Sequence, residues 1–487
     1  TSSKIKATFA EWIDDTPYVL TILPSDQYGL SDESVDRSTG VPYPTEKVSF
    51  KFPTLQTATL SNGAKVVLAQ RSDVPLVEMN FQFNFGYAQE NNDELGFTNF
   101  MMDMLNEGTK KYSSLQFDEA LDSLGSNLGF GSGLDTSVIS LSSLKGNLAD
   151  TLDLAKEALI SPTFPQAEID RIKSQTLASI VQEENRPASI AYRNIGKLLY
   201  GDTHPYGKPL TGSGLSDTIS SITRSNIIDL HARALSPDNL TFAVAGDIDL
   251  ETLVDLLENK FGGWKGNSTS KLKAFTTVAL PSQRTVYLID KPNAQQSFIV
   301  AGQLLPPSAT DEEIKLDYMN YAIGGSFTSR LNMNLREDKS WSYGVRTRLA
   351  SAKGQRAMLV TAPVQTDKTS ESIAEIAKEY AAYLSDNPVT DAELAKGKAS
   401  KTLRLPGQFE TLGALKSGVS GIVTYNRDLD YLNQLPGLLD EPTLADVQNM
   451  AQAYIKPDQW IWLIVGDLSK IEEPIRNLNL GKVEVID

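Results

Sequence analysis

The sequence predicts an α+β fold of two homologous domains, each a mostly antiparallel sheet packed with helices. The stretch SPDNLTFAVAGDIDLETL from Ser236 and the stretch KPDQWIWLIVGDLSKIEE from Lys456 each read Pro-Asp, a short apolar strand, Gly-Asp and then a helix-like segment. Upstream, TRSNIIDLHARAL from Thr223 and TLADVQNMAQAYI from Thr443 also resemble each other, and both pairs lie 220 residues apart. A constant offset through a helix and a strand indicates duplication of a whole domain. In each half, strand-like segments come first and helices follow, which is typical of α+β domains.

Residues 56–262 are predicted to form the first domain. LQTATLSNGAKVVLAQR and PLVEMNFQFNFG are rich in β-forming residues and predict paired strands, with a turn at Asn62-Gly63 and a break at Pro75. Ser113 to Gln116 is a capping-box pattern that opens a helix. SNLGFGSGLDTSVISLSSL then predicts an antiparallel hairpin, and residues 146–160 and 166–197 predict helices.

Residues 276–487 are predicted to form the second domain, after a polar linker, GWKGNSTSKLKAF, at 263–275. RTVYLIDKP and QQSFIVAGQLL predict its opening strands, and SYGVRTRLASAKGQRAMLVTAPV predicts the matching hairpin. Helices are expected near 369–386 and 390–403. Residues 1–55 show no clear period and are expected to be an N-terminal extension or connector.

Composition excludes several classes of function. The formal net charge of −16 over 487 residues would repel a nucleic-acid backbone, so no nucleic-acid partner is expected. No apolar run approaches the roughly 20 residues that span a bilayer, so no membrane span is expected. The absence of cysteine excludes thiol chemistry. An acidic, cysteine-free chain that begins Thr-Ser-Ser without Met favours a bacterial periplasm.

The stretch GFTNFMMDML, residues 96–105, has the apolar stripe of an amphipathic helix. Asn99, Met102 and Asp103 stand at i, i+3 and i+4 on another face of that helix. A His-x-x-Glu-His motif would place two metal-binding histidines and a catalytic glutamate at this spacing. The chain therefore has the spacing of a metal site without its ligands.

Several ordered segments of residues 55–487 resemble the pitrilysin or insulinase family of zinc metallopeptidases, the inverzincins. LSNGAKVVLAQRSDVPLVEMNFQFNFGYAQE is similar to the family's opening strands, and GFTNFMMDMLNEGTKKYS to its zinc helix. LYGDTHPYGKPLTGSG and DNLTFAVAGDID are similar to later landmarks of the family. In the family, the GFGSG region at 129–133 forms an edge strand to which a peptide can add.

The resemblance implies that the metal site is lost in this chain. Asn99 stands at the first zinc histidine, Met102 at the general-base glutamate and Asp103 at the second histidine. Ser179 stands at the distal glutamate ligand. Asn, Met and Ser are poor zinc ligands, and Asp103 alone cannot hold the ion. We therefore expect no metal in this chain and no peptide hydrolysis by this chain alone.

A different signature of the family is kept in FTSRLNMNLREDKSWSYGV. The resemblance implies that Arg336 and Tyr343 reach a peptide substrate at a zinc site. Arg offers a fixed fork to a carbonyl or carboxylate, and Tyr a phenolic donor to an oxyanion. Without zinc of its own, this chain would supply both residues in trans.

Three hypotheses follow. In the first, the chain is the non-catalytic subunit or half of a two-part peptidase, a heterodimer or a longer precursor whose other half carries His-x-x-Glu-His and zinc. In the second, the chain is a non-enzymatic scaffold or peptide-binding module of the same fold. The third, a hydrolase with an unconventional metal site, lacks ligands.

The two histidines, His204 and His231, have no acidic residue at ligand spacing, and His204 is expected to order a turn.

Overall fold

The computed structural model of the chain describes residues 2–13, 18–21, 49–266 and 272–486. It divides into two compact units, residues 1–47 and residues 48–487. In the first unit a helix, α1 (Ser2–Trp12), has all of its residues exposed. Much of the predicted N-terminal extension, and residues 267–271 of the predicted linker, lie outside the described residues.

The second unit contains two six-stranded sheets. In the first sheet the strand order is β1-β2-β6-β3-β5-β4, and in the second it is β12-β7-β11-β8-β10-β9. The strands are β1 (Leu55–Thr59), β2 (Lys65–Gln70), β3 (Leu76–Phe83), β4 (Asn127–Ser132), β5 (Ser137–Leu144), β6 (Leu240–Gly246), β7 (Thr285–Asp290), β8 (Gln296–Leu305), β9 (Arg346–Leu349), β10 (Arg356–Gln365), β11 (Ile461–Gly466) and β12 (Lys482–Val485).

In each half two helices precede the hairpin of the sheet and the other helices follow it. In the first half they are α2 (Phe97–Asp103), α3 (Ser114–Leu124), α4 (Leu148–Ile160), α5 (Gln166–Glu183), α6 (Pro187–Tyr200), α7 (Ser216–Ser221), α8 (Arg224–Ala234) and α9 (Leu250–Phe261). In the second half they are α10 (Glu313–Asn320), α11 (Arg330–Asn332), α12 (Thr369–Tyr383), α13 (Asp391–Gln408), α14 (Leu412–Tyr425), α15 (Tyr431–Asp440), α16 (Leu444–Tyr454) and α17 (Leu468–Asn477).

The two sheets are copies of one plan. Five strands match in order: β2, β6, β3, β5 and β4 take the places of β7, β11, β8, β10 and β9. β2 pairs with β6 in parallel, and β7 pairs with β11 in parallel, while the hairpins β4–β5 and β9–β10 are antiparallel. Only the outer edge differs, because β1 closes the first sheet and β12 closes the second. The predicted α+β fold with internal duplication is confirmed.

Each half also covers the other half's sheet with a helix. α6 of the first half packs on β8 and β11, and α14 of the second half packs on β2, β3 and β6. The α14 contact includes an ion pair of 2.7 Å between Lys416 and Glu78, both largely buried. A bond of 2.9 Å from Asn80 to Ser420 lies beside it. This reciprocal exchange fixes the two domains against each other.

The predicted domain limits, 56–262 and 276–487, remain predictions. The end of the predicted linker is tied to the first half, because the backbone amide of Lys273 donates to Gln89 Oε1 at 2.6 Å. Within the described ranges, each helix falls short of the length or the apolar character that a membrane-spanning helix needs.

Candidate functional site

Helix α2 carries three of the four positions that the resemblance assigns to a lost metal site. It begins after Gly96, whose φ of 90° is in the left-handed region and whose Cβ, if present, would lie 2.7 Å from Ser213 O. The buried Glu90 takes the place of a capping side chain, because its carboxylate accepts bonds from the amides of Gly96 and Thr98. The start of α2 is therefore set by the nearby Glu90 and by the close approach of the backbone at Ser213.

Asn99 is a structural link between two neighbouring segments. Its side-chain nitrogen donates to Gly212 O at 3.0 Å, and its side-chain oxygen accepts from the amide of Ser132 at 3.0 Å. Ser132 ends the edge strand β4. Both polar atoms of the Asn99 amide thus make hydrogen bonds within the fold, and an amide is in any case a poor zinc ligand.

Met102 and Asp103 are adjacent but lie in opposite surroundings. Met102 is fully buried in the core beneath the first sheet, so it does not share the open face that the spacing predicts. Asp103 is exposed, yet partial desolvation by the surrounding protein and, next, the negative charge of Glu107 raise its pKa to about 6. Ser179 on α5 is also exposed.

These four residues do not fit a zinc ion. Asn99 is occupied, Met102 is buried as a core thioether, and only Asp103 offers a ligand type that zinc commonly takes. Within the part of the chain that the structure describes, no three His, Cys, Asp or Glu side chains are grouped so as to hold a metal ion.

The two histidines have structural roles. His204 Nδ1 accepts from the amide of Tyr206 at 3.0 Å, and Nε2 lies 3.1 Å from Thr276 O, so His204 orders its turn as expected. His231 Nε2 bonds to Leu159 O at 2.8 Å. Burial lowers the pKa of both rings, which favours the neutral form.

Arg336 and Tyr343 line one pocket of about 390 Å³ in the second domain. Arg336 lies in a π-helical turn, Met333–Asp338, and its guanidinium sits 4.5 Å from the centre of the Phe327 ring. One of its nitrogens lies 3.0 Å from a carboxylate oxygen of Glu337. The Arg336 side chain is one-third exposed at this pocket.

The Tyr343 side chain is 91% exposed, yet the backbone on both sides of it is fixed. Ser342 Oγ donates to Pro363 O at 2.6 Å, and the amide of Val345 donates to Asn332 Oδ1 at 3.0 Å. A phenol held open on a fixed backbone can donate a hydrogen bond to an incoming ligand without reorganising the protein.

Tyr343 also borders a second pocket, of about 930 Å³, that both domains form. The opposite wall is Asn185 to Ala188, at the junction of α5 and α6. Lys291 crosses between the walls, because its ammonium lies 2.8 Å from Asn185 Oδ1. The structure thus brings Arg336 and Tyr343 together and adds a groove that the sequence did not indicate.

A buried charge cluster near α2 was also missed by sequence reasoning. The ammonium groups of Lys208 and Lys273 both donate to the backbone oxygen of Glu90. Burial raises the pKa of Glu90 and lowers the pKa of Lys208. Because these residues lie 118 and 183 positions from Glu90, no local pattern could have revealed the cluster.

Comparisons with known proteins give the family. Residues 65–213 match the family described as insulinase, peptidase family M16. Residues 221–401 match the family described as the peptidase M16 inactive domain.

Among curated relatives, the uncharacterized zinc protease YmxG of Bacillus subtilis is 24% identical, covering 70% of this chain and 81% of the relative. The non-peptidase homolog YmxG of Helicobacter pylori is 21% identical, covering 86% of this chain and 97% of the relative. The alignment to the second of these relatives therefore extends through both domains.

Solved structures share the fold. A peptidase M16 inactive domain from Pseudomonas fluorescens superposes with a TM-score of 0.78 at 24% identity, covering 85% of this chain and 98% of that one. The first half of the periplasmic protease PqqL from Escherichia coli has a TM-score of 0.69 at 16% identity, covering 90% and 100%. This chain spans 52% of the whole PqqL chain. The chain therefore belongs to the M16 insulinase family of peptidases.

Proposed function

We propose that this chain is the non-catalytic half of a two-part zinc metallopeptidase, and that it presents Arg336 and Tyr343 to a peptide held at the zinc site of a homologous partner. The observation that carries the proposal is a contrast in use. Asn99 is used in two hydrogen bonds of the fold, and Met102 is packed in the core. Arg336 and Tyr343 instead share an open pocket, and the Tyr343 phenol is almost fully exposed.

The roles of the two residues follow from their donors. The Arg336 guanidinium offers parallel N–H groups to a peptide carbonyl or carboxylate, and its stacking on Phe327 limits its motion. The Tyr343 hydroxyl is a donor for the oxyanion that develops when the peptide bond is attacked. This chain supplies positioning and charge stabilisation, while the partner supplies the His-x-x-Glu-His residues and zinc.

The two domains of this chain, held together by their packing, would close one side of the chamber that holds the peptide. The groove beside Tyr343 is bordered by both domains and is large enough for several residues of an extended peptide. β4 has a free edge in the first sheet, so an extended peptide can also add there by backbone pairing. The likeness to one half of the periplasmic protease PqqL supports both the two-part arrangement and a periplasmic location.

The test is reconstitution. This chain is mixed with a homologous half that carries His-x-x-Glu-His, and cleavage of an unstructured peptide and bound zinc are measured for each chain and for the mixture. We expect cleavage only in the mixture. Tyr343→Phe and Arg336→Ala are each expected to lower kcat/KM about 100-fold, the usual effect of losing one oxyanion donor.

Matched controls separate the site from general effects. Tyr454→Phe removes the hydroxyl of a tyrosine at the end of α16 that lines neither pocket, and Arg404→Ala removes an exposed arginine of α13. Both controls should leave cleavage unchanged. Unchanged cleavage in Arg336→Ala and Tyr343→Phe would overturn the proposal and favour the second hypothesis, a scaffold or peptide-binding module that uses the same groove.

A further inference from the structure

Three helices of the chain occupy equivalent places in a repeated unit. α1, α8 and α16 each have 11 residues, and they are separated by 222 and 220 positions. In the sequence a threonine precedes each helix: Thr1, Thr223 and Thr443. An apolar run follows each helix at the same distance, YVLTIL from Tyr18, β6 from Leu240 and WIWLIV from Trp460. The Pro-Asp turn and the Gly-Asp ending of the two later copies are not repeated in the first.

The two later copies show what this unit does. Ile227 of α8 and Val447 of α16, which are equivalent positions, are fully buried in the cores of the two domains. The strand after each helix lies in the middle of its sheet, β6 between β2 and β3, and β11 between β7 and β8. The unit is thus the last long helix before the central strand of each domain, together with that strand.

The first copy has the same apolar face without a core. Ile5 corresponds to Ile227 and Val447, yet it is 70% exposed. Phe9, Trp12 and Ile13, on the same side of α1, are exposed as well. In the strand-like run, Tyr18, Val19 and Leu20 are exposed, whereas every residue of β11 is buried. Both described sheets already contain their own central strand.

We propose that residues 2–13 and 18–21 are the last helix and central strand of a third copy of the domain, whose other strands belong to the partner half. The identity of that partner rests on the proposed function, but the repeat does not. This chain would therefore bind its partner by completing a sheet, with Ile5 and Phe9 packed in that domain's core.

An anionic membrane surface is the main competitor, because Lys4 and Lys6 flank the apolar face of α1. Two observations favour the domain. A lipid-bound helix has no need of a second apolar run at the spacing of a strand. In the sequence Glu11 and the acidic pair after the helix oppose binding to anionic lipid.

The test grafts the segment into a complete copy. Residues 2–23 replace residues 444–465, which have the same length, and Gly466 is kept because a Cβ there would lie 2.5 Å from Ser297 Oγ. We expect the graft to unfold in one cooperative transition. Amides of the grafted YVLT should exchange about 100-fold more slowly than those of Tyr18 to Thr21 in the same chain.

The control is a graft of the same 22 residues in scrambled order, which should not fold. Trp462 is replaced by leucine in the true graft, so a packing defect could mask a correct match. Two half-grafts address this, residues 2–13 into 444–455 and residues 18–23 into 460–465. If neither half-graft is more stable than its scrambled control, the proposal is wrong.

A variant of the whole chain tests the membrane alternative. Phe9→Asp changes the apolar face of α1, and Ala7→Asp is its control on the opposite face. Binding to phosphatidylglycerol vesicles that is lost in Phe9→Asp, together with failed grafts, would replace the third domain by a lipid surface. Folded grafts without vesicle binding support the proposal. Neither assay involves zinc, peptide cleavage or Arg336, so this inference and the proposed function can fail separately.

Discussion

Helix α2 and the Arg336–Tyr343 segment are the two regions where the resemblance to the family predicts site residues, and the fold uses them in opposite ways. On α2, Asn99 joins two segments through both atoms of its amide, and Met102 fills the core. In the second domain, Arg336 and Tyr343 border a pocket, and Tyr343 is almost fully exposed. In the first region two of the predicted site positions hold the fold together, whereas in the second region the predicted site side chains face a pocket.

The segments that precede the two edge strands, β4 and β9, differ in backbone regularity. α3 precedes edge strand β4 as a regular helix with a Ser113 capping box and a left-handed Gly125 at its end. The segment before edge strand β9 is instead a π-helical turn followed by Ser340 at a φ of 56°. Irregular backbone of this kind costs free energy and concentrates at functional sites. The irregular copy is the one that bears Arg336 and Tyr343.

The largest loss of stability is expected at Met102. Met102→Glu, which restores the residue of the family's general base, places an unpaired carboxylate in the core. We expect it to lower the free energy of unfolding by about 3–5 kcal/mol, measured by urea denaturation. Met102→Leu is the control and should cost less than about 1.5 kcal/mol. A stable Met102→Glu chain would mean that this position is still open to solvent.

Asn99 should show a smaller effect of the same kind. Asn99→Ala leaves the amide of Ser132 and the carbonyl of Gly212 without their partner, so we expect a loss of about 1–3 kcal/mol in unfolding free energy. Ser179→Ala, at an exposed lost ligand position, should change it by less than about 0.5 kcal/mol. Equal effects at the two positions would contradict the structural role of Asn99.

The contribution of Asp103 to stability should depend on pH. Its pKa is raised to about 6 in the fold from 3.8, so the ionised form is disfavoured in the folded state. Stability from this group is present below about pH 4 and is lost as pH rises through about 6. Asp103→Asn should therefore raise the melting temperature at about pH 7.5 and not at about pH 4. Because Asp103 is exposed, the gain should not exceed about 1 kcal/mol. Equal gains at both pH values would point to another cause.

Local signals predicted much of this structure. The capping box at Ser113 does begin a helix, and the repeat correctly predicted two sheets of one plan. The sequence did not indicate that α6 and α14 each pack on the sheet of the other domain, because that packing depends on contacts between residues far apart in the chain. Nor could the spacing show that Met102 is buried while Asp103 is exposed, since α2 is only seven residues long and its start is set by Glu90.

The smallest expected effect is at Tyr343. Tyr343→Phe should change the unfolding free energy by less than about 0.5 kcal/mol, because the ring is 91% exposed and the hydroxyl bonds to no described residue. Tyr318→Phe is the contrast, since the hydroxyl of Tyr318 is buried and donates to Leu439 O at 2.8 Å. That variant should lose about 1–3 kcal/mol. If Tyr343→Phe were as destabilising, the phenol would belong to the fold. If it is neutral and cleavage falls in the reconstituted pair, the exposed phenol is kept for a ligand.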